Sequence, residues 1–398
     1  MENLNNKKYF FYIFFLTILI LIFLREPCWL TEGSFKSDDF FHYKEGKSKS
    51  FLENLFNIYP GTGALMFWMN ITHSIISPFQ IDQAEILANY LTLLVYLSIF
   101  IYIFLSKSTL FTNYKHRIFA IFIILLSPPM TPEAWMDVPH LRGYFGILSF
   151  ILLFQDYQND KIIMNKITNF LIFFSGICSI YAAALTPAYL LKFYLSKHKI
   201  DLKRLIFASF AFLIQFFFIL YYILIPAYSP CAPAFGCNDT PRFDFDLSIF
   251  YSYFYNVPIR SFFGSTIPKL LFLETEIYKI QYFNFLIYIL LILSFFITLF
   301  YLFKKNDKIS NLIMFSLILV STLIILGTVQ PGFAGGRYAV VPGVILIFLV
   351  FRFFTIEKNF VFKNIFFLLL ILSFAVGSIE YRYLSPLPQS LQCIDNNL

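Results

Sequence analysis

From Leu205 to Ile225 the chain carries no charged residue, and apolar runs of this kind recur along its length. Nothing else in the sequence constrains the fold as much. A helix needs about 20 apolar residues to cross a bilayer, and inside the hydrocarbon every backbone N–H and C=O must find its partner within the protein. The runs are Tyr9–Leu24, Ile86–Leu105, Ile118–Met130, His140–Phe154, Ile167–Leu185, Pro187–Leu195, Leu205–Ile225, Tyr282–Phe303, Leu312–Thr328, Tyr338–Phe353 and Ile365–Ser378. They predict an all-α, polytopic transmembrane helical bundle of about eleven spans, one integral-membrane domain over 1–398. A soluble domain would have roughly a quarter of its residues charged; here 13% are charged and 59% are hydrophobic. No A-x-A-like cleavage site follows the first run, which therefore reads as a retained signal anchor. Several runs fall short of a full crossing. Ile118–Phe154 and Ile167–Leu195 accordingly read as hairpins with short apices buried in protein.

Lysine and arginine orient such a bundle, because cytoplasmic connections hold them in excess. Lys7/Lys8, Lys107/Lys115/Arg117, Lys161/Lys166, the cluster from Lys197 to Arg204, Lys304/Lys305/Lys308 and Lys358/Lys363 fall in alternate connections. Placing all of them inside puts the N-terminus in the cytoplasm and the C-terminus outside. That fit needs an odd number of crossings between Arg25 and Lys107. Gly61–Ile81, uncharged but containing Asn70, His73 and Pro78, then reads as a surface or re-entrant segment. Two long segments remain outside, 25–85 and 226–281, with short apices at Thr131–Pro139, Thr186 and Val329–Arg337. The net charge of +7 matters through this distribution, and no nucleic-acid partner is expected.

The outer segments hold the residues able to do chemistry. Asp38 and Asp39 precede Ser50-Phe51-Leu52-Glu53, a capping box that starts a helix. Phe51, Leu52, Leu55, Phe56 and Tyr59 fall on one face of it, which predicts an amphipathic helix along the membrane surface. Adjacent carboxylates in a partly desolvated site suit a general base, since burial and like charge raise a pKa. The alternative is a solvated acidic loop. At the second apex, Pro128 and Pro129 end one helix and Pro132 opens the next, leaving Glu133 and Asp137 at the turn. Ionisable residues at that depth are costly and are either functional or paired. His140 and Arg142 follow, as substrate-binding candidates or, for Arg142, as an internal partner of these acids.

Late in the chain, Gly335-Gly336-Arg337-Tyr338 lets backbone amides approach an anion where a helix begins, a phosphate site in charge and geometry. An ordinary interfacial arginine is the competing reading. Cys231 and Cys237 are spaced to close a short disulfide loop in an oxidising compartment. No His, Cys and carboxylate spacing resembles a zinc site, and His42, His73 and His140 suit hydrogen-bonded core or interface positions. No cofactor is established. Asp38, Asp39 and Glu133 have the oxygen ligands a divalent metal takes, but carboxylates alone do not establish one.

Together, the acidic pair in the first outer segment, the amphipathic helix after it and the acids at the second apex resemble the GT-C superfamily of integral-membrane glycosyltransferases. Uncharacterised bacterial members show an acidic motif after span 1, a Pro-Gly-rich surface helix (here Tyr59-Pro60-Gly61-Thr62-Gly63), a Pro-Glu-rich apex before an aromatic helix (Pro132–Phe145) and a late Gly-Arg-Tyr (Gly336-Arg337-Tyr338). The resemblance covers roughly residues 1–345 in architecture, through short motifs. It implies sugar transfer, inverting in stereochemistry, from a polyprenyl-phosphate donor to a glycan, lipid or protein acceptor on the periplasmic side of a bacterial inner membrane. Asp38 or Asp39 matches the family's acidic base, Glu133 and Asp137 its second acidic position, and Arg337 a contact to the lipid phosphate. Members often carry an acid nearer the end of span 1, so Glu26 and Glu32 are rival counterparts. A polymerase or flippase of lipid-linked glycans and a secondary transporter are the other functions such a chain can serve.

Overall fold

The computed structural model describes residues 2–25, 29, 33, 39–58, 64–105, 107–126, 138–156, 162–224, 253, 255–264, 307–327 and 339–383. All regular structure among them is helical, with two isolated β-bridges. In chain order the helices are α1 (Glu2–Arg25), α2 (Asp39–Lys47), α3 (Phe51–Leu55), α4 (Phe67–Ile76), α5 (Ile81–Leu105), α6 (Tyr114–Leu126), α7 (Leu141–Leu153) and α8 (Ile162–Cys178). They continue with α9 (Ile180–Ala184), α10 (Thr186–Ser196), α11 (Lys199–Leu224), a π-helical turn Tyr255–Ile259, α12 (Arg260–Phe263), α13 (Lys308–Gly327), α14 (Val340–Ile356) and α15 (Phe360–Tyr383). The predicted span Tyr282–Phe303 lies outside the described residues.

Three helices, α5, α11 and α15, are long and apolar enough to cross a membrane alone. The pair formed by α8 and α9–α10 qualifies as a fourth if taken as one bent span. The bundle is thus helical and membrane-like, while the described residues stop short of eleven clear crossings. The reason is packing. Helices α7 and α14 form the centre of the bundle; every residue of α7 and the first twelve of α14 are buried, so protein surrounds them on all sides. At 13 residues α7 spans only about 20 Å, less than a bilayer core, and protein surrounds it instead of lipid.

Small residues allow the close approaches. A Cβ on Gly146 of α7 would stand 2.8 Å from Tyr181 Cβ and 3.3 Å from Val341 Cγ2 of α14. A Cβ on Gly176 of α8 would stand 2.4 Å from Ala211 Cβ of α11. Backbones in membranes pack on such residues because lipid supplies no hydrophobic drive between helices.

The second hairpin turns at a different place from the one its sequence announces. Thr186-Pro187 resembles an apex, yet Pro187 takes a first-turn position of α10, where its missing N–H costs nothing, and the chain bends little there. The reversal, 115°, falls at Ser179, whose Oγ accepts from the Ala182 amide and donates to the Arg142 carbonyl at 2.6 Å. Breaking a helix inside a bundle frees carbonyls, and Gln215 of α11 covers them. Its Nε2 donates to Gly176 O at 3.1 Å, Ile177 O at 3.0 Å and Leu65 O at 2.7 Å, while its Oε1 accepts from the Leu65 amide at 3.0 Å. Gly61–Ile81 contains the ten-residue helix α4, about 15 Å long and too short to cross alone.

Among the described residues, Arg117, Lys192 and Arg204 gather around the ends of α5 and α7, at one end of the bundle. Arg117 Nη1 donates to Phe104 O at 3.0 Å, and Arg204 Nη1 to Gln155 O at 2.8 Å. Lys192 Nζ donates to Leu153 O. Each cation thereby satisfies a carbonyl at or just past the C-terminus of α5 or α7, where the helix dipole is negative. Asp201, 1% exposed, lies 3.4 Å from Lys192 Nζ and 3.6 Å from Arg204 Nη1, and accepts from Ser196 Oγ at 2.6 Å. Arg352 of α14 reaches Asp307, just before α13, through two bonds of 3.0 and 3.2 Å.

Candidate functional site

The opposite end is built differently. Its floor is a second, smaller hydrophobic cluster in which Tyr43 of α2, Met69 and Ile76 of α4, Ala84 and Ala88 of α5 and Val138 pack together. Asp39 opens α2, and Val138 is the last residue but one before His140, so the first outer segment and the second apex share one apolar anchor. Tyr43 Oη fixes α2 further by donating to Phe79 O at 2.7 Å. Asp38, Glu133, Asp137, Arg337, Tyr338, Cys231 and Cys237 lie outside the described residues. Of the sequence candidates, His140 and Arg142 are placed in full. Both are buried, at 4% and 6% exposure, where central helix α7 begins.

Helix α2 contributes two groups beyond Asp39: His42, which the sequence assigns to a core or interface position, and Glu45, which it passes over. His42, one turn after Asp39, is buried, and its ring lies 5.6 Å from that of His73 on α4. His42 Nδ1 stands 3.7 Å from Glu45 Oε2, an ionic separation longer than a hydrogen bond. Glu45 Oε1 accepts from Lys49 Nζ at 2.5 Å, and Lys49 also donates to Asn57 Oδ1 at 2.9 Å. The His42 ring, and after it Lys49, outweigh burial and hold the Glu45 carboxyl down at about 2. A carboxylate so stabilised is a poor proton acceptor, so Glu45 organises charge and leaves the role of base to another group.

The surface helix begins as the sequence requires. Ser50 Oγ accepts from the Glu53 amide at 3.4 Å, and the Ser50 amide donates to Glu53 Oε2 at 2.7 Å. It ends at Leu55, before the predicted face reaches Tyr59, because Asn54 turns inward to donate to Gly46 O at 2.9 Å. Asn70 holds the exit, donating to Leu55 O and Asn57 O at 3.0 and 2.8 Å. Phe51, Leu52 and Phe56 remain exposed on one side, as an interfacial helix needs.

Between this short helix and the final turns of α11 lies a cleft of about 740 Å³. Phe56, Ile58, Phe217 and Leu220 form its apolar wall, and Lys49, Glu53 and Asn57 its polar rim. Phe217, Tyr221 and Leu224 are largely exposed, so the wall runs into a lipid-facing surface. The cleft is walled by α11, from mid-chain. Its size is that of a small-molecule site. Among the described residues no group of three or more His, Cys, Asp or Glu side chains is placed to hold a metal ion, and the carboxylate set Asp38, Asp39 and Glu133 is not fully described. Comparison with family models, characterised proteins and solved structures finds no match to this chain.

Proposed function

We propose that the chain is a GT-C-like glycosyltransferase that moves a sugar from a polyprenyl-phosphate donor to an acceptor at the periplasmic face of a bacterial inner membrane. In this reading it crosses about eleven times, with its N-terminus cytoplasmic. The observation that carries the proposal is the asymmetry of the bundle. One end is tied by buried charges across helix termini. The other holds an apolar, lipid-facing cleft beside the shared anchor of the Asp39 helix and Val138. A transferase with a lipid-linked substrate needs that arrangement, because its substrate arrives sideways from the bilayer and reacts at one face.

Asp39 takes the proton of the acceptor hydroxyl as that oxygen bonds to the sugar's anomeric carbon. Asp38 or Glu133 orients it, and Asp137 belongs to the same acidic apex. The bond from the anomeric carbon to the phosphate oxygen breaks with its electron pair on the phosphate, which Arg337, beside Tyr338, stabilises. The leaving group is already a phosphate, so the work is positioning and charge stabilisation. Purified protein in proteoliposomes, supplied with a radiolabelled polyprenyl-phosphate sugar, should glycosylate an envelope-lipid extract, and Asp39→Asn should abolish this while inserting normally. Full turnover by that variant removes Asp39 from the mechanism. The broken helix at Ser179 favours a second reading, a secondary transporter, since transporters bind at such breaks. Gradient-driven sugar uptake without glycosyl transfer would select it.

A further inference from the structure

The polar rim of the cleft carries more information than its apolar wall. Among the described residues Lys49 is the one cation lining it, and that ammonium is already engaged, at 2.5 Å to Glu45 Oε1 and 2.9 Å to Asn57 Oδ1. Glu45 is held as an anion by His42 and Lys49, so the pair is neutral where it meets the cleft. The remaining charge on the rim is Glu53, whose carboxylate Oε2 accepts from the Ser50 amide and is otherwise open to solvent. The mouth of this cleft is therefore neutral to acidic. A lipid phosphate entering it would meet Glu53, and among the described lining residues the one cation, Lys49, is already paired with Glu45.

We propose that the cleft is the acceptor site, and that the acceptor is a membrane amphiphile with an uncharged, hydroxyl-rich headgroup, a glycolipid in chemical class. The inference rests on the glycosyl-transfer reading and narrows its acceptor from glycan, lipid or protein to lipid. The tail lies along Phe217, Leu220 and Leu224. The headgroup meets Asn57 and Glu53, whose side-chain oxygens accept hydrogen bonds from its hydroxyls, and the ring of Phe56.

Binding tests this without turnover. The full-length protein in phosphatidylcholine nanodiscs is exposed to three photoreactive decyl probes, with glucosyl, phosphate or trimethylammonium heads, and adducts on residues 51–58 and 217–224 are mapped by mass spectrometry. The glucosyl probe should label these segments at least about threefold more than either charged probe, a ratio a single rim contact supplies. Leu220→Trp, which fills the cleft, should remove the labelling. Glu53→Lys should raise phosphate labelling to match or exceed the glucosyl probe. Stronger labelling of wild type by phosphate or trimethylammonium, labelling independent of headgroup, or labelling that survives Leu220→Trp overturns the proposal. The two readings fail separately. Transfer from the lipid-linked donor without headgroup-selective labelling removes the acceptor assignment alone, whereas selective labelling without transfer leaves the site and removes the enzyme.

Discussion

Asp201→Asn probes the buried charges at the basic end, and the cost follows from the geometry. Asp201 is 1% exposed and stands 3.4 Å from Lys192 Nζ and 3.6 Å from Arg204 Nη1, which is itself fully buried. With an effective dielectric of about 20, each pair is worth about 5 kcal/mol before desolvation is counted. Replacing the carboxylate by an amide keeps the shape and much of the Ser196 bond but leaves two cations facing each other in protein. Removing one partner of a buried ionic set costs about 3–5 kcal/mol. Lys192 and Arg204 retain their carbonyl partners Leu153 and Gln155, so the lower figure applies, about 3 kcal/mol. At roughly 2 °C per kcal/mol for a large chain, the melting temperature in detergent should fall by about 6 °C, read by monodispersity on size exclusion after heating. Replacing all three residues together (Lys192→Met, Asp201→Leu, Arg204→Met) should cost less than Asp201→Asn alone, because no charge is then stranded. A drop below about 1 °C for Asp201→Asn, or a triple variant worse than the single one, would refute the assignment of this set as an interdependent tie.

Three further outcomes are expected. Gln215→Leu strands the carbonyls of Leu65, Gly176 and Ile177, and at about 1–3 kcal/mol for each unsatisfied group it should lower the melting temperature more than Asp201→Asn does; an unchanged transition would mean that water or another group covers them. Gly176→Ala puts a methyl group 2.4 Å from Ala211 Cβ, so α8 and α11 must separate, at about 1–3 kcal/mol, and Ala211→Gly should recover part of the loss in the same thermal assay. Glu45 has a folded pKa of about 2 against an ordinary 4.5, so its carboxylate contributes stability fully present above pH 4.5 and lost as pH falls toward 2. A quarter of that side chain is exposed, which trims the nominal figure of about 3 kcal/mol to about 2. The melting-temperature gap between wild type and Glu45→Gln should hold constant above pH 4.5 and shrink below it; a gap as wide at pH 2.5 as at pH 6 contradicts the linkage.

What the sequence disclosed and what it withheld divide along physical lines. Long apolar runs announced α5, α11 and α15, because crossing a membrane leaves a length signature. The capping box announced the start of α3, since Ser50 and Glu53 satisfy each other within one turn. Helix α2 was invisible: Asp39–Lys47 is charged and only weakly amphipathic, and it is held by Tyr43 and His42 docking on α4. The Thr186-Pro187 apex misled because proline is equally at home in the first turn of a helix, whereas Ser179, where the chain reverses, carries no local signal of its own. Gln215 lies unremarked inside a span, and the Lys197–Arg204 cluster read as a cytoplasmic connection. Their buried roles depend on residues far away in the chain. At the candidate site, the sequence marked Asp39 and the Glu133–Asp137 apex as acidic segments, but not the packing of Tyr43 and Val138 that joins their neighbourhoods. The Glu45–Lys49–Asn57 link and the acidic rim required coordinates.

The Gln215 tie also has a temporal side. Leu65 and Gln215 are 150 residues apart, so the extended stretch around Leu65 emerges from the ribosome long before its partner exists. At about 5–20 residues per second the wait is roughly 10–30 s. Throughout that interval α4 and the walls of the future cleft have no α11 to close against. A truncation ending before Gln215 should therefore leave the first outer segment open to protease in a membrane-inserted chain, and one ending a few turns beyond it should not. Assembly of the cleft end is in this sense a late event for some of the earliest residues made.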